Sequence, residues 1–394
     1  MIPELRQHFN ANYTPEKYQN FIRQLNQECG TKVEFRVSET PCFFPKPLLD
    51  KMARYGDELV HQLVDSPEYR SKSEASIPAA FRVPNDDAHP LFVQVDFGLI
   101  RDAAGQLQPW LVELQAFPSL YAYQQVVSRQ YIQCYGLSSE LKVFFGMDDE
   151  GYWALLRRSI VGNHDPKQVV LLEIDPLHQK TLPDFLVTGR ICGIRTVNIT
   201  EVVKQGDRLH YRDNGKLVPI QRIYNRTIVD ELVRKHVQLP FDYRDEMDVE
   251  WAGHPNWYFR ISKFSIPYLR HKCVPKTWFL DRLEQVPQDR ENYVLKPVYS
   301  FAGAGIVFAP TDADLQAIPH SLRSQYILQE KMNFTPVIDT PHGPTQAEVR
   351  IMYIWLDRLL PVMGLVRMGR GKMMGVDHNR NLEWVGGSAA LYVD

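Results

Sequence analysis

The stretch FVQVDFGLIRDAAGQLQPWLVELQAFPSL, residues 92–120, constrains the fold of this chain more than any other segment. It contains two apolar runs, LFVQVDFGLI and PWLVELQAF, separated by RDAAGQLQ. Gly105 gives the connection turn chemistry, so the two runs predict an antiparallel β-hairpin. Because side chains alternate between the two faces of a strand, a hairpin determines which residues face one another.

Each apolar run of this hairpin carries a carboxylate, Asp96 in the first and Glu113 in the second. Two ionised carboxylates that face each other repel unless a cation lies between them. Magnesium typically combines one or two carboxylates with substrate phosphates, and Gln115, on the same strand face as Glu113, adds a carbonyl oxygen. Asp96, Glu113 and Gln115 therefore form a predicted Mg²⁺ site. The alternative is a solvated sheet face, which the same alternation of polar and apolar residues also fits.

The first part of the chain, residues 1–160, is predicted to contain packing helices and the metal-bearing hairpin. PEKYQNFIRQLNQ and PKPLLDKMARYGDELVHQLV have apolar residues at three- and four-residue spacing, which is typical of amphipathic helices. Two more helices are expected at about residues 119–145 and 148–160.

The second part, residues 161–255, has the order strand, helix, strand in VVLLEID, LPDFLVTGRICG and IRTVNI. That order predicts a parallel sheet and a small Rossmann-like domain. GDRLHYRDNGKLVPIQRIYNR adds a hairpin with its turn at Asn214 and Gly215. The third part, residues 256–394, is predicted to be mostly antiparallel sheet.

Three short segments of the third part have chemistry suited to binding a ligand. In YVLKPVYSFAGAGIVF, Lys296 precedes a glycine-bearing loop whose backbone N–H groups can point at phosphate oxygens, although a tight hairpin with an exposed lysine fits the same letters. YILQEKM is an apolar strand that runs into polar residues suited to a purine ring, or simply to solvent. Arg367 lies within the apolar strand GLVRM, where it fits either a phosphate or a structural salt bridge.

Composition excludes several functional classes. The chain has 45 Lys plus Arg, 47 Asp plus Glu and a formal net charge of −2, so it has no bulk attraction for nucleic acid or anionic lipid. The 5 cysteines lack CxxC spacing, which argues against a disulfide framework or a structural zinc site. The first residues lack a basic segment followed by an apolar one, and no apolar run reaches the roughly 18 residues of a membrane helix. We therefore expect a folded protein of the cytoplasm, with no nucleic-acid or membrane partner.

In order along the chain, these segments resemble the circularly permuted ATP-grasp ligases, in particular the synthetase domain of glutathionylspermidine synthase. VQVDFGL and LVELQAFPSL match the family's early D-F and E-x-N strands, and a Rossmann-like insert follows. ISKFSIPYLRHK matches its lysine-bearing helix, YVLKPVYSFAGAGI its V-K-P strand and glycine loop, YILQEKM its adenine-edge strand and GLVRMGRG its late arginine segment. The similarity covers roughly residues 80–394, and the order of the motifs is more specific than any one of them.

The resemblance implies an α/β (α+β) chain with a permuted ATP-grasp fold and a Rossmann-like pre-ATP-grasp domain. It implies a ligase that joins a small carboxylic acid or peptide to an amine through an acyl phosphate, with ATP and Mg²⁺. Arg367 would stabilise the transferred phosphate, and Asp96, Glu113 and Gln115 would hold the metal. The implied nucleotide-binding residues are Lys263, Lys296, Ser300, Ala302, Gly303, Gln329, Glu330 and Lys331.

Two departures from the family pattern bear on activity. Gln115 stands where the family has asparagine, and Gln94 stands where it has the arginine of R-x-D-F, so that Arg82 and Arg101 become candidate replacements. A catalytically silent homologue that binds nucleotide or a partner is therefore the alternative to a ligase.

Overall fold

The computed structural model describes residues 1–299, 305–371, 374, 379 and 381–394. Within them the chain is a mixed α/β molecule with four β-sheets. Its α-helices are α1 (Pro3–Asn12), α2 (Pro15–Cys29), α3 (Lys46–Val64), α4 (Pro67–Ser73), α5 (Tyr121–Tyr135), α6 (Asp149–Val161), α7 (Leu182–Cys192), α8 (Val229–Arg234), α9 (Asn256–Arg260) and α10 (Asp312–Gln316).

The strands are β1 (Cys42–Phe43), β2 (Phe92–Arg101), β3 (Leu107–Gln115), β4 (Val169–Glu173), β5 (Arg195–Asn198), β6 (Val203–Gln205), β7 (Arg208–Asp213), β8 (Lys216–Ile220), β9 (Arg222–Asn225), β10 (Glu250–Ala252), β11 (Thr277–Phe279), β12 (Tyr293–Pro297), β13 (Val307–Phe308), β14 (Tyr326–Glu330), β15 (Gln346–Trp355), β16 (Leu359–Gly369) and β17 (Gly386–Leu391). No helix among the described residues is long and apolar enough to cross a membrane.

The largest sheet has six strands in the order β1-β17-β16-β15-β2-β3. The predicted hairpin is confirmed as β2 and β3, which pair antiparallel with a bulge between Asp96 and Phe97. Near the C-terminus, β15 and β16 also pair antiparallel, with a register shift between Met352 and Tyr353. The sheet therefore joins segments from both ends of the chain, because β2 pairs with β15.

Helix α3 covers one face of this sheet and determines which residues face the other side. The odd-numbered residues of β2, Val93 to Leu99, belong to one core cluster with Leu59 and Leu63 of α3. Because strand side chains alternate between faces, Gln94, Asp96 and Gly98 point to the opposite side. The amphipathic pattern of α3 thus leaves the polar face of β2 turned toward the rest of the molecule.

Helix α5 is shorter than the sequence predicted. It ends at Tyr135, where Gly136 has a φ of 61° and closes the helix in a left-handed conformation. The residues that follow form a turn at Ser139 and Glu140 and then isolated bridges from Lys142 to Tyr392 and from Phe144 to Met363. The expectation of a helix to about residue 145 was wrong because a glycine C-cap ends α5 early. The next predicted helix is confirmed as α6.

The predicted β-α-β unit is confirmed as β4, α7 and β5 in a parallel four-stranded sheet of order β10-β9-β4-β5. The small sheet β6-β7-β8 follows β5, and its turn lies at Asn214 and Gly215, with φ values of 48° and 80°. Positive φ at both turn residues is what a tight two-residue hairpin requires, so this turn was readable from Asn-Gly alone. The domain boundaries given by the sequence remain predictions.

The fourth sheet has the order β11-β14-β12-β13, with antiparallel pairing throughout. A 3-10 helix, Lys263–Tyr268, precedes it and packs against β3, β11 and β14. This helix lies between β3, at the edge of the six-stranded sheet, and the β11-β14-β12-β13 sheet. These two sheets enclose a cleft.

Candidate functional site

The polar face of the six-stranded sheet forms the floor of a cleft of about 480 Å³. Strands β12 and β14 contribute the opposite wall through Lys296 and Gln329, and the 3-10 helix contributes Lys263. The described residues that line the cleft include the predicted site residues Glu113, Gln115, Lys263, Lys296, Gln329, Glu330, Lys331 and Arg367. Segments far apart in sequence therefore meet in one space.

Strand register places the charged residues of the floor in two rows. Glu113 pairs with Asp96, and Asp96 pairs with Arg350 on the other side. In the second row Glu348 lies between Gly98 and Arg367. Asp96 thus faces Arg350, and Glu348 faces Arg367, which is the arrangement that stabilises cross-strand charge pairs, whereas Glu113 faces a residue of its own sign.

Asp96 is held by two guanidinium groups. Its Oδ1 accepts from Nε of Arg350 at 2.6 Å, and its Oδ2 accepts from Nη2 of Arg350 at 2.7 Å and also from Nη2 of Arg367. The residue is only 1% exposed. A bidentate pair of this kind is among the strongest hydrogen-bonded ion pairs in proteins. Both carboxylate oxygens are therefore engaged by arginine, so this geometry gives no support to Asp96 as a magnesium ligand.

Glu113 lies in a different environment from Asp96, on the cleft surface. Its Oε2 is 3.5 Å from Nζ of Lys263, and its Oε1 accepts a hydrogen bond from Nε2 of Gln115 at 2.5 Å. Burial acts to raise the pKa of Glu113, but Lys263, Arg367, Arg350 and Lys296 outweigh it and lower the pKa to about 2. The carboxylate is accordingly ionised at neutral pH and can bind a cation.

Lys296 projects from β12 toward Gln329 of β14. Its Nζ donates to Oε1 of Gln329 at 2.5 Å, and Nε2 of Gln329 donates to Oγ1 of Thr277 at 3.2 Å. Burial lowers the pKa of Lys296 to about 8, although Glu113 favours the charged form. Phosphate oxygens are suited to such a partly buried ammonium because they restore the solvation it has lost.

The predicted adenine edge, Gln329 to Lys331, lies at the cleft, but β14 is an internal strand of its sheet. The backbone N–H of Glu330 donates to the carbonyl of Lys276 at 2.9 Å, and that of Lys331 donates to the carbonyl of Asn292 at 2.7 Å. These two donors are already used within the protein. A base at this edge would therefore be recognised by side chains and carbonyl oxygens. The loop residues Ser300, Ala302 and Gly303 lie outside the described residues.

The segment after β14 crosses the floor at Gly98. A Cβ atom at this position would lie 2.2 Å from Sδ of Met332 and 2.4 Å from the ring of Phe334. Thr335 then donates its N–H to the carbonyl of Leu99 at 2.8 Å. Gly98 is thus required by close approach, and its lack of a side chain lets this segment close one end of the cleft.

Arg367, the predicted catalytic residue, lies between Asp96 and Glu348 and forms an ion pair with each. Burial acts against its charged form, yet Glu348, Asp96 and Glu113 together raise the pKa of Arg367. Burial also raises the pKa of Glu348, in spite of Arg367. Arg367 is a fixed cation on the cleft floor, held by side chains that also limit its movement.

Sequence reasoning did not assign Glu348 and Arg350 to the site. Their spacing by two residues put them on one strand face, and that was the available signal, but the identity of the neighbouring strand was missing. Arg350 also donates from Nη1 to Oε1 of Gln94 at 2.8 Å. It is thus the arginine that accompanies Gln94, whereas Arg82 pairs with Glu74 and Arg101 with the carbonyl of Gly105.

The residues present fit a magnesium ion only in part. Within the described part of the chain, no group of three or more His, Cys, Asp or Glu side chains is arranged to hold a metal. Glu113 is ionised and Gln115 adds an amide oxygen, which suits an ion that also contacts substrate phosphates. The predicted set of Asp96, Glu113 and Gln115 does not fit as a set of three, because the two arginines already occupy Asp96.

The comparisons with known proteins identify a solved structure with a similar fold. No protein-family model and no curated protein sequence matches the chain. Among solved structures, a similar chain is the glutathione synthetase-like effector GSS30 from Globodera pallida in its apo form, at 11% identity and a TM-score of 0.57. The similarity covers 96% of this chain and 99% of that one. The chain therefore has a mixed α/β fold similar, over nearly its whole length, to that of a glutathione synthetase-like protein.

Proposed function

We propose that the cleft binds ATP and that the protein is an ATP-dependent carboxylate-amine ligase with a circularly permuted ATP-grasp fold. One observation carries the proposal: Lys263, Lys296, Arg367 and the ionised Glu113 converge from four separate elements on a single cleft. Cations placed around an enclosed space are what a polyphosphate requires, and one carboxylate suits the ion that accompanies it. The similarity to a glutathione synthetase-like fold also supports an ATP-dependent ligase.

In this proposal the lysines bind the phosphates and the end of β14 lies against the adenine. Lys263 and Lys296 approach the cleft from the 3-10 helix and from β12, so they hold the phosphates from two sides. Glu113 and Gln115 would hold a Mg²⁺ ion, which supplies charge neutralisation on the phosphates. Enclosure between two sheets excludes water, which protects an activated acid from hydrolysis.

The reaction needs no covalent intermediate with the protein. A substrate carboxylate oxygen attacks the γ-phosphorus, the bond to ADP breaks and an acyl phosphate forms. The amine nitrogen then attacks the carbonyl carbon, phosphate leaves and the amine loses a proton. Arg367 stabilises the negative charge on the transferred group, and the other residues orient the reactants.

A phosphate-release screen over mixed acids and amines with MgATP tests the proposal. Wild-type protein should release phosphate only when a suitable acid is present, and Glu113→Ala should reduce the rate at least a hundredfold while the protein stays folded. Glu284→Ala, which removes an exposed glutamate, is the matched control and should behave as wild type. Full turnover by Glu113→Ala would refute the assignment of Glu113.

A second candidate is a homologue that binds nucleotide without turnover. The observation that favours it is the double arginine pairing of Asp96, which withdraws one of the expected carboxylates from the cleft. Calorimetric titration of wild type with ATP and with a non-hydrolysable analogue separates the two candidates. Binding of both ligands with no phosphate release across the whole screen would favour the silent homologue, whereas acid-dependent release would exclude it.

A further inference from the structure

The charge that balances Asp96 comes from a strand other than its hairpin partner. Arg350 is the register partner of Asp96 on β15 and reaches both of its oxygens, at 2.6 Å and 2.7 Å. Glu113 is the register partner on the other side, on β3. A position flanked by two carboxylates from neighbouring strands would ordinarily attract a divalent ion. Here the guanidinium of Arg350 forms an ion pair with Asp96 instead.

Arg350 is itself fixed in this position. Its third nitrogen, Nη1, donates to Oε1 of Gln94, and Nε2 of Gln94 donates to the carbonyl of Ser119 at 2.7 Å. The side chain of Arg350 is only 7% exposed. Guanidinium, carboxylate and amide form a connected network in which all three nitrogens of Arg350 have partners. Arg350 is therefore a buried, fully hydrogen-bonded part of the cleft floor and not a mobile surface side chain.

We propose that Arg350 takes the place of a divalent cation at Asp96, so that this cleft holds one divalent ion, at Glu113, and Asp96 is a positioning residue for Arg350 and Arg367. A guanidinium offers several donors in a plane, which match the two oxygens of a carboxylate as a metal ion would. Unlike a metal, it is permanently attached and needs no free ion. The inference rests on the proposed nucleotide cleft only for the location of the single ion.

The proposal predicts that removing the guanidinium creates a metal site. In Arg350→Ala, Oδ1 of Asp96 loses its partner, and a free divalent ion can bind between Asp96 and Glu113. We expect nucleotide-free Arg350→Ala to bind Mn²⁺, detected by electron paramagnetic resonance, at least tenfold more tightly than wild type. Mn²⁺ should also raise the melting temperature of this variant by several degrees and that of wild type by less than one degree.

Three variants control the experiment. Arg101→Ala removes an exposed arginine from the end of the same strand as Asp96 and should bind Mn²⁺ as wild type does. Arg350→Lys keeps a positive charge and should not gain metal. Arg350→Ala combined with Asp96→Asn should lose the gained binding, because the new ligand is gone.

The stoichiometry of the wild type provides a second test that needs no substitution. With a non-hydrolysable ATP analogue, we expect one Mn²⁺ per chain, and a second ion bound in the cleft would overturn the proposal. A folded Arg350→Ala variant with unchanged Mn²⁺ affinity would also overturn it. If the analogue does not bind, the proposed function fails, but the nucleotide-free measurements still decide the role of Arg350.

Discussion

The six-stranded sheet and the parallel four-stranded sheet each bury a carboxylate, and they do so in opposite ways. On the antiparallel six-stranded sheet, Asp96 receives one arginine from its neighbouring strand and a second from the strand beyond it. On the parallel sheet, Glu173 ends β4 and is 4% exposed, with the N–H of Ile174 donating to its Oε1 at 2.7 Å. Burial raises the pKa of Glu173 to about 8, although Arg226 acts in the other direction.

The difference lies in what the adjacent strand provides. Arg226 follows β9, but its guanidinium lies between the rings of Phe117 and Phe185, at 5.2 Å and 5.3 Å, and 4.0 Å from Asp184. It does not form an ion pair with Glu173 as Arg350 does with Asp96. Glu173 is consequently protonated at neutral pH. A buried carboxylate is thus paired with a cation or neutral according to the residue that the next strand presents to it.

The largest effect is expected from Asp96→Ala. This change leaves Arg350 and Arg367 without the carboxylate they share, and breaking a buried pair by removing one partner typically costs about 3–5 kcal/mol. The free energy of unfolding, from urea denaturation, should fall by that amount. Asp50→Ala is the matched control, because it breaks an exposed pair with Lys46 and should change stability little. Equal losses in the two variants would contradict the contrast between buried and exposed pairs.

The next effect concerns Glu173→Gln. The folded protein holds a proton on Glu173 up to about pH 8, whereas the unfolded chain releases it near the ordinary value of 4.5. The folded state therefore binds more protons, and its stability falls as pH rises through this window. At ~1.4 kcal/mol per pKa unit, wild type should lose about 2–3 kcal/mol from this group between pH 5 and pH 7.

Glu173→Gln keeps the shape and cannot ionise, so this part of the pH dependence should disappear. Urea denaturation of wild type and variant at pH 5, 6 and 7 measures it. Glu284→Gln, at an exposed position, should keep the profile of wild type. Parallel profiles for wild type and Glu173→Gln would show that Glu173 is ionised in the folded protein.

The smallest expected effect is the uptake of a fraction of a proton by Lys296 when ATP binds. Its pKa of about 8 means that part of the population is neutral at pH 8.5, and a bound phosphate should raise that pKa. ATP binding at pH 8.5 should therefore take up a fraction of a proton, and affinity should fall as pH rises through 8. Titration calorimetry in buffers of different ionisation enthalpy measures the uptake. Lys296→Met should abolish it, while Lys142→Met, at an exposed lysine, should leave it unchanged.

The sequence by itself determined the local elements and much of the cleft. Alternation and the turn around Gly105 predicted the hairpin of β2 and β3, and Asn-Gly predicted the turn between β7 and β8. These features depend on neighbours in sequence, which is why patterns reveal them. The family resemblance, carried by the order of the motifs, implied one site for Glu113, Lys263, Lys296 and Arg367, and these residues line one cleft, although their roles stay predictions. The similar solved structure supports a glutathione synthetase-like fold over 96% of the chain.

Only the tertiary structure decided whether Asp96 pairs with an arginine or with a metal ion. Its partner Arg350 is 254 residues away in sequence, and nothing local to either segment states that β2 pairs with β15 in that register. A shift by one residue would have turned Arg350 to the other face and left the carboxylate to a metal ion. Charge pairing across a sheet depends on strand order and register, and both are properties of the assembled fold.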